Sequence, residues 1–305
     1  MLKDLKNEMK GKIVLVTGGS AGIGKATCKI LAKKGAKVIL HAQNQIRGEA
    51  ARKEIMHDTG THGMDLIIAD LSSQEQVRRM AEMINAKYEC INVLINNAGV
   101  FYSDYKKSED GIEMQWATNH LAPFMLTNLL LGKILNAEAG RIITVSSHAH
   151  QRAIIHFEDV NLQTHYKGLE AYAQSKLANV LFTNELARRL GPTHVTANAL
   201  HPGRVNTDIG HKHSTRWIGL LWNLAKPVMI TESEGARTSV YLACDEAVST
   251  ISGQYFDKCK IAKSSLLSYD IEMAKKLWTL SEEMTGVKFS IPPIEQPSAI
   301  DVQNE

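Results

Sequence analysis

The 305-residue chain is predicted to fold as one α/β domain, a doubly wound parallel sheet flanked by helices on both faces. Three observations carry that expectation. Apolar runs of strand length alternate along the chain with longer segments of helical period. The runs are apolar on both faces, as strands covered from above and below must be. A glycine-rich segment follows the first run and opens the first helix, and no linker-like stretch divides what comes after.

Residues 13–17, IVLVT, form a continuous and mostly β-branched run. Ile23, Thr27, Ile30 and Leu31 then recur at helical spacing. Residues 37–41 make the second strand and 46–57 the second helix. Strands at 65–70 and 91–96 enclose a helix at 75–88, and a long helical stretch runs from about 109 to 135. A strand at 141–146, a helix at 172–190, a strand at 194–200, a helix at 232–244 and a short strand at 253–256 complete the series. Right-handed crossovers between such strands place a ligand at their carboxyl ends. The domain spans residues 12–287, after a lead-in of 1–11 and before a tail of 288–305 that is polar, proline-containing and loosely packed at most.

Composition narrows the function. Thirty-five basic against thirty-two acidic residues, with no dense basic cluster, give no footprint for nucleic acid. Cys28, Cys90, Cys244 and Cys259 are scattered without C-x-x-C spacing, so neither a disulfide framework nor a thiolate metal site is expected, and a reducing compartment fits. The opening MLKDLKNEMKGK is charged throughout and lacks the apolar core of a signal peptide. No run of eighteen apolar residues occurs, so no transmembrane segment is expected, and the reading is of a soluble, cytoplasmic protein.

The segment GGSAGIG holds Gly18, Ser20, Gly22, Ile23 and Gly24 between a strand and a helix. Glycines there permit a tight turn and close backbone approach to a pyrophosphate at the helix N-terminus. The same residues spell G-x-S-x-G around Ser20, the pattern of a hydrolase nucleophile elbow. An elbow follows several strands, because its oxyanion loop precedes it, whereas only nineteen residues precede Ser20. The phosphate-loop reading is therefore preferred.

Further motifs fall in order at the ends of predicted elements: Asp70-Leu71, Asn96-Asn97-Ala98-Gly99, YAQSK with Tyr172 and Lys176, and Pro202-Gly203 with Val205 and Thr207 beyond. With Thr17-Gly18-x-x-x-Gly22-x-Gly24, they make the chain resemble the short-chain dehydrogenase/reductase family over residues 12–287. The resemblance implies a Rossmann-type fold and an NAD(P)-dependent oxidoreductase that interconverts a carbonyl and an alcohol. It assigns Gly18, Ser20, Gly22, Ile23 and Gly24 to the cofactor loop and Asp70 and Leu71 to the adenine. Asn97, Ala98 and Gly99 fall to the cofactor at the fourth strand, and Pro202, Gly203, Val205 and Thr207 to the nicotinamide amide. It also puts Ser147 on the substrate oxygen, and Tyr172 and Lys176 against both substrate and cofactor. Asn119 would support a water-linked proton relay through the lysine, or would bridge an irregularity of its helix.

Tyr172 and Lys176 are four apart and share one helix face. A free phenol has a pKa of about 10, and lowering it by two to three units takes roughly 3–4 kcal/mol. One cation at about 4–5 Å supplies roughly that amount at an effective dielectric near 20. Lys176 is thus expected to pull Tyr172 down far enough to serve as acid in one direction and base in the other.

Within the family the chain looks most like the retinol dehydrogenase branch, in NVLINNAGV, SKLANVLFTNELARRL, LHPGRVNTDI and SGQYFDKCK. That resemblance implies a small lipophilic carbonyl or alcohol substrate, such as a retinoid or steroid. The twenty-five residues from Ser147 to Tyr172, where many members have about a dozen, are a feature of this branch too. Membrane-anchored relatives begin with an apolar helix that MLKDLKNEMKGK does not supply, so anchoring does not carry over. At the end of the second strand, Ala42 stands where an acid would bind the ribose hydroxyls of NAD. Gln43, where the resemblance to NADP enzymes of this branch implies arginine, follows with Asn44 as a cofactor-binding residue. NADP(H) is favoured because the acid is missing, with Arg47 and Lys25 as the cations nearest in sequence for a 2′-phosphate, and NAD(H) stays open. A catalytically weak nicotinamide-binding scaffold is the alternative from another class.

Trp217, Leu220, Leu221, Trp222 and Leu224 fall in the substrate lid that the resemblance places at about 208–230. A lipophilic ligand, a peripheral membrane contact, a homodimer face and ordinary packing all suit them. His148 and His150, like His211 and His213, are two apart without a nearby Cys or carboxylate to complete a metal set. They are read as loop histidines at the cleft mouth, and no metal is expected.

Overall fold

The computed structural model describes residues 8–191, 193–203 and 230–291. Eight strands form one sheet: β1 Ile13–Val16, β2 Lys37–Ala42, β3 Asp65–Ile68, β4 Val93–Asn96, β5 Arg141–Val145, β6 Thr196–His201, β7 Tyr255–Asp257 and β8 Lys260–Ile261. Their spatial order is β3-β2-β1-β4-β5-β6-β7-β8. Every pairing is parallel except that of β7 with β8. The order reverses between β1 and β4, which opens a crevice at their carboxyl ends.

Alternation along each strand builds the two faces. Leu15, Ile39, Leu94, Ile142 and Ala197 point to one side. There they meet α3 (Gln74–Lys87), α5 (Ala122–Leu129) and α7 (Gly168–Arg189) through Met80, Phe124 and Phe182. Val14, Val16, Leu40, Ile95, Ile143 and Leu200 point to the other. They are covered by α1 (Gly22–Lys33), α2 (Gln45–Thr59) and α8 (Glu232–Cys244) through Leu31, Ile55 and Leu242. Each strand therefore has to be apolar on both sides, which is the pattern the sequence showed.

The stretch expected as one helix from 109 to 135 is broken. It consists of α4 (Met114–Trp116), a π-helical turn (Ala117–Leu121), α5, and α6 (Leu131–Leu135). Glu113 stops the helix from starting earlier, its carboxylate accepting from the Trp116 amide at 2.7 Å as an N-cap. Pro123 has no amide hydrogen to give to the carbonyl of Asn119 four residues back, so a regular α-helical ladder cannot run through the turn.

Two elements lie outside the expected series. Lys258 and Cys259 both take positive φ, 49° and 61°, and this tight turn folds β8 back antiparallel on β7. A last helix, α9 (Ile271–Thr285), starts at an Asp270 cap and ends at Gly286, with φ of 65°. Its buried face comprises Ala274, Leu277, Trp278, Ser281 and Thr285. The 3.6-residue period of those positions was present in the sequence and was passed over there. Phe289 packs on Trp278 with ring centroids 5.6 Å apart, two residues past the expected end of the domain.

Candidate active site

The loop from β1 to α1 is fixed from beneath by side chains. Thr17 Oγ1 accepts from the amides of Asn97 and Ala98, each at 2.9 Å, and Asn97 Nδ2 donates to the Thr17 carbonyl at 2.8 Å. These bonds join the end of β1 to the end of β4, across the reversal in strand order. Gly18 and Gly22 hold φ values of 67° and 55°. A Cβ on Gly24 would stand 2.2 Å from the Gly18 carbonyl oxygen and 2.4 Å from Asn97 Nδ2. The N-cap of α1 is Ala21, which has no side chain to satisfy the first-turn amides. A bare helix N-terminus behind a glycine cradle fits the pyrophosphate of a dinucleotide. Ser20 belongs to this cradle, and among the described residues no histidine is hydrogen-bonded to it.

His41, in β2, is buried under the loop. Its Nδ1 accepts from the Gly18 amide at 3.1 Å, and its Nε2 lies 3.0 Å from the Ala69 carbonyl. Only a neutral ring carrying its hydrogen on Nε2 satisfies both bonds. Burial lowers its pKa from 6.5 to about 4. The folded value lies below the unfolded one, so this stability is full above pH 6.5 and is lost as pH falls toward 4. The loss expected from His41 amounts to about 3 kcal/mol. Urea unfolding at pH 7 and pH 5 should therefore show a smaller pH effect in His41→Gln than in the native protein. Equal pH effects in the two proteins would refute the assignment.

On the adenine side, Asp70 Oδ1 accepts from the Ser72 amide at 2.9 Å and from its hydroxyl at 2.8 Å. Gln43 Nε2 donates to Asp70 Oδ2 at 3.0 Å, so two expected cofactor residues are brought together. Desolvation raises the Asp70 pKa, but its hydrogen bonds outweigh that effect and hold the carboxyl below its usual range. Leu71 is different: its side chain belongs to the apolar core, leaving only its backbone to face a ligand. Asn44 spends its side chain as the N-cap of α2, accepting from the Arg47 amide at 3.0 Å. Lys25 is paired with Glu54 at 2.6 Å, whereas the Arg47 side chain is exposed.

The catalytic candidates converge beyond β4 and β5. Asn119 sits in the π-helical turn, fully buried, so the helix irregularity weighed for it is present. Its Oδ1 accepts from the Val100 amide at 2.7 Å, and its Nδ2 donates to the Val100 carbonyl at 3.0 Å and to Ser175 Oγ at 3.1 Å. A Cβ on Gly99 would lie 3.3 Å from Lys176 Nζ and 3.4 Å from Asn119 Oδ1, which puts these three residues around one point. Lys176 is buried and donates to the Val145 carbonyl at 3.1 Å. Its Nζ lies 5.6 Å from the centre of the Tyr172 ring. Phe101, which the sequence reading missed, meets that ring edge-on at 5.9 Å. Ser147 Oγ accepts from the Ala149 amide at 3.3 Å, and the Ser147 side chain stands beside the Tyr172 phenol.

One electrostatic expectation is reversed. The Tyr172 pKa is raised, because desolvation outweighs the opposing effect of the Ser147 side chain. Desolvation also lowers Lys176 to about 8, which leaves the ammonium mostly charged at neutral pH. The phenol is therefore protonated at neutral pH.

The two histidines of VSSHAH part company. His148 is exposed and lines a cavity of about 480 Å³ with His201, Pro202, Gly203, Arg237 and Cys259. His150 is not at the cleft mouth but fully buried. Pro202 and Gly203 follow β6, with Gly203 at φ 91°. Val205, Thr207, His211, His213 and the Trp217–Leu224 part of the lid lie outside the described residues. Among the described residues, no group of three His, Cys, Asp or Glu could hold a metal, and no helix is long and apolar enough to cross a membrane.

Thr17, His41, Ser72 and Phe101 all support the site, and none was assigned to it from sequence. Thr17 opens the glycine-loop motif, but a threonine at a strand end gives no sign of which amides it will meet.

A glycine cradle at the strand-order reversal, with Asn, Ser, Tyr and Lys gathered one strand further on, defines a dinucleotide-dependent oxidoreductase as the class of protein. The profile of the family described as "short chain dehydrogenase" matches residues 12–216. Mouse retinol dehydrogenase 14 is 43% identical over 291 residues, covering 92% of this chain and 87% of its own. A crystal structure of an uncharacterised protein from Mycobacterium paratuberculosis superposes with a TM-score of 0.76 at 34% identity, covering 94% of this chain and 98% of that one. A short chain dehydrogenase from Shigella flexneri, complexed with NADP, shares the fold with a TM-score of 0.66 at 24% identity, over 84% of this chain and all of its own. The chain belongs to the short-chain dehydrogenase family, in its retinol dehydrogenase-like branch, and is an oxidoreductase acting on CH–OH or C=O groups.

Proposed function

We propose that this protein reduces a lipophilic carbonyl compound of the retinoid kind with NADPH, and that Tyr172 is the proton donor. The observation that carries the reading is the placement of Tyr172, whose ring centre lies 5.6 Å from Lys176 Nζ and whose phenol stands beside Ser147, where desolvation favours its protonated form. The bound cofactor supplies the hydride to the carbonyl carbon. Ser147 and Tyr172 hold the substrate oxygen by hydrogen bonds, and Tyr172 gives it the proton as negative charge builds there. The positive charge on Lys176 then favours the phenolate that is left. The Val145 carbonyl holds the Lys176 ammonium, and the bare Cα of Gly99 leaves room for it.

The retinoid class rests on the likeness to mouse retinol dehydrogenase 14. The cavity beside His148 is no argument for it, since Arg237, Asp257 and Lys258 contribute to the walls. A turnover screen of retinoids, steroids, aliphatic aldehydes and small ketones with both nicotinamide cofactors tests the substrate class. Tight NADPH binding without hydride transfer across that panel would point to a scaffold protein instead.

Ala42 ends β2 with its side chain buried beside Gly48 of α2, and it brings no carboxylate to meet the ribose hydroxyls or repel a 2′-phosphate. With Lys25 engaged by Glu54, Arg47 is the exposed cation left for a 2′-phosphate. NADPH is expected to bind at least about tenfold more tightly than NADH, and Arg47→Ala should remove most of that difference without weakening NADH. Fluorescence titration of both cofactors checks this, and a preference for NADH would end the NADP reading.

A further inference from the structure

His150 lies behind Ser147 and touches neither of the groups that would hold the substrate oxygen except through the backbone. Its Nδ1 is 2.6 Å from the Ser147 carbonyl, which also accepts from the His150 amide at 3.1 Å. Its Nε2 is 3.2 Å from the amide of Ser265, more than a hundred residues away in the chain. The ring packs against Tyr255 of β7 with centroids 4.8 Å apart. A carbonyl can only accept and an amide N–H can only donate, so the two bonds define one ring state. It is neutral, with its hydrogen on Nδ1, and burial favours that state by pushing the pKa below the ordinary histidine value.

The position matters because the sheet stops short of Ser147. The β5–β6 register ends at Val145 opposite Leu200, and Ser146 makes the last bond to the Leu200 carbonyl at 2.8 Å. Ser147 is extended, with φ −155° and ψ 156°, and its peptide plane has no strand partner to orient it. Among the described residues, the hydrogen bonds to its carbonyl come from the amide and the ring of His150. Gln151 Nε2 adds a second tie to the same C-terminal segment, donating to the Lys263 carbonyl at 3.1 Å.

We propose that His150 is a positioning residue, whose ring ties the Ser147 carbonyl to the backbone at Ser265 and thereby steadies the backbone from which the Ser147 hydroxyl, which accepts from the Ala149 amide at 3.3 Å, is presented beside Tyr172. This rests on the role given above to Ser147 and Tyr172. The C-terminal turn around Ser265 thus acts on the reaction without touching substrate or cofactor.

Three substitutions separate the two bonds from simple packing. His150→Asn keeps an amide donor near the Nδ1 position, within reach of the Ser147 carbonyl. His150→Gln carries an acceptor out to the Nε2 position, facing Ser265 only. His150→Phe keeps a ring against Tyr255 and makes neither bond. Turnover is measured with NADPH and the best carbonyl substrate of the panel, beside melting temperature and NADPH affinity. His150→Phe and His150→Gln should lower kcat on the order of tenfold to a hundredfold while the NADPH affinity stays within about twofold. His150→Asn should recover most of the lost kcat, even if it melts no higher than the Gln variant. Native kcat in the Phe variant, equal kcat in Asn and Gln, or a kcat order that follows melting temperature would overturn the inference. In the native protein, ¹⁵N spectra of the imidazole should show Nδ1 protonated, and an Nε2-protonated ring would overturn it without any variant. Tyr172→Phe and Ser147→Ala serve as references: full turnover in both removes the proposed reaction and this inference together. Loss in both, with no distinction between Asn and Gln, removes the inference alone.

Discussion

Tyr172→Phe is expected to lower kcat by roughly 10²–10⁴-fold, the range that a positioned general acid supplies. The substitution removes one hydroxyl and little else. The ring keeps its edge-on contact with Phe101 at 5.9 Å, and Lys176 keeps its bond to the Val145 carbonyl. NADPH affinity should therefore change by no more than about threefold, or roughly 0.7 kcal/mol. Single-turnover reduction followed at 340 nm, with cofactor binding measured separately, gives both quantities. A variant that turns over at near-native rate would remove Tyr172 from the chemistry. Because burial raises the phenol's pKa, native activity in the direction of reduction should hold across neutral pH rather than fall as Tyr172 deprotonates.

Gly24→Ala should be the most damaging single methyl group in the cofactor loop. Its Cβ would sit 2.2 Å from a backbone oxygen of Gly18, and backbone cannot swing aside as a long side chain can. Either α1 or the loop must move, at about 1–3 kcal/mol in the free protein. That corresponds to a fall in melting temperature of roughly 2–12 °C for a domain of this size. The loop then loses the shape that admits a pyrophosphate, and NADPH affinity should drop by about a hundredfold or more, roughly 2.7 kcal/mol. Gly60→Ala is the control. Gly60 also has positive φ, 68°, but a Cβ there meets nothing within 4 Å. It should cost about 1 kcal/mol of stability and leave cofactor affinity alone. Equal affinities in the two variants would mean that the cradle at Gly24 is not where the cofactor lies.

Much of this architecture could be read before any coordinates. β1, β2, α1 and α8 fall within a residue or two of their expected ends, because long periodic segments bounded by glycine or a capping box leave few alternatives. The break at Asn119 was less legible. An apolar stretch with one proline reads as helix throughout, and only the missing hydrogen at position 123 says otherwise. The β7–β8 hairpin was missed because its turn residues are Lys258 and Cys259, neither a usual choice for positive φ. In the site, the four residues of the resemblance do converge, and Gln43 reaches Asp70 as well. The supports were hidden for a different reason. His41 and His150 act through burial and through backbone groups far away in sequence, and Phe101 through a ring on α7, none of which has a local signature; Ser72, two residues from Asp70, is the local exception. The error on the Tyr172 pKa has the same source, since a distance along a helix gives the Coulomb attraction but not the desolvation that opposes it.

The ties between β1 and β4 set a schedule for the chain as it is made. Thr17 meets Asn97 and Ala98 across about eighty residues, with β2 and β3 formed in between, and His150 meets Ser265 later still. Loop-closure entropy has to be met before such distant contacts return anything, so they form late and slowly. At a synthesis rate of about 5–20 residues per second, the glycine loop waits several seconds for its second wall, and Ser147 waits longer for its brace. A growing chain that already holds Tyr172 and Lys176 therefore does not yet hold a finished site. A finished oxidoreductase site arrives only when the last tenth or so of the ordered fold closes on the rest.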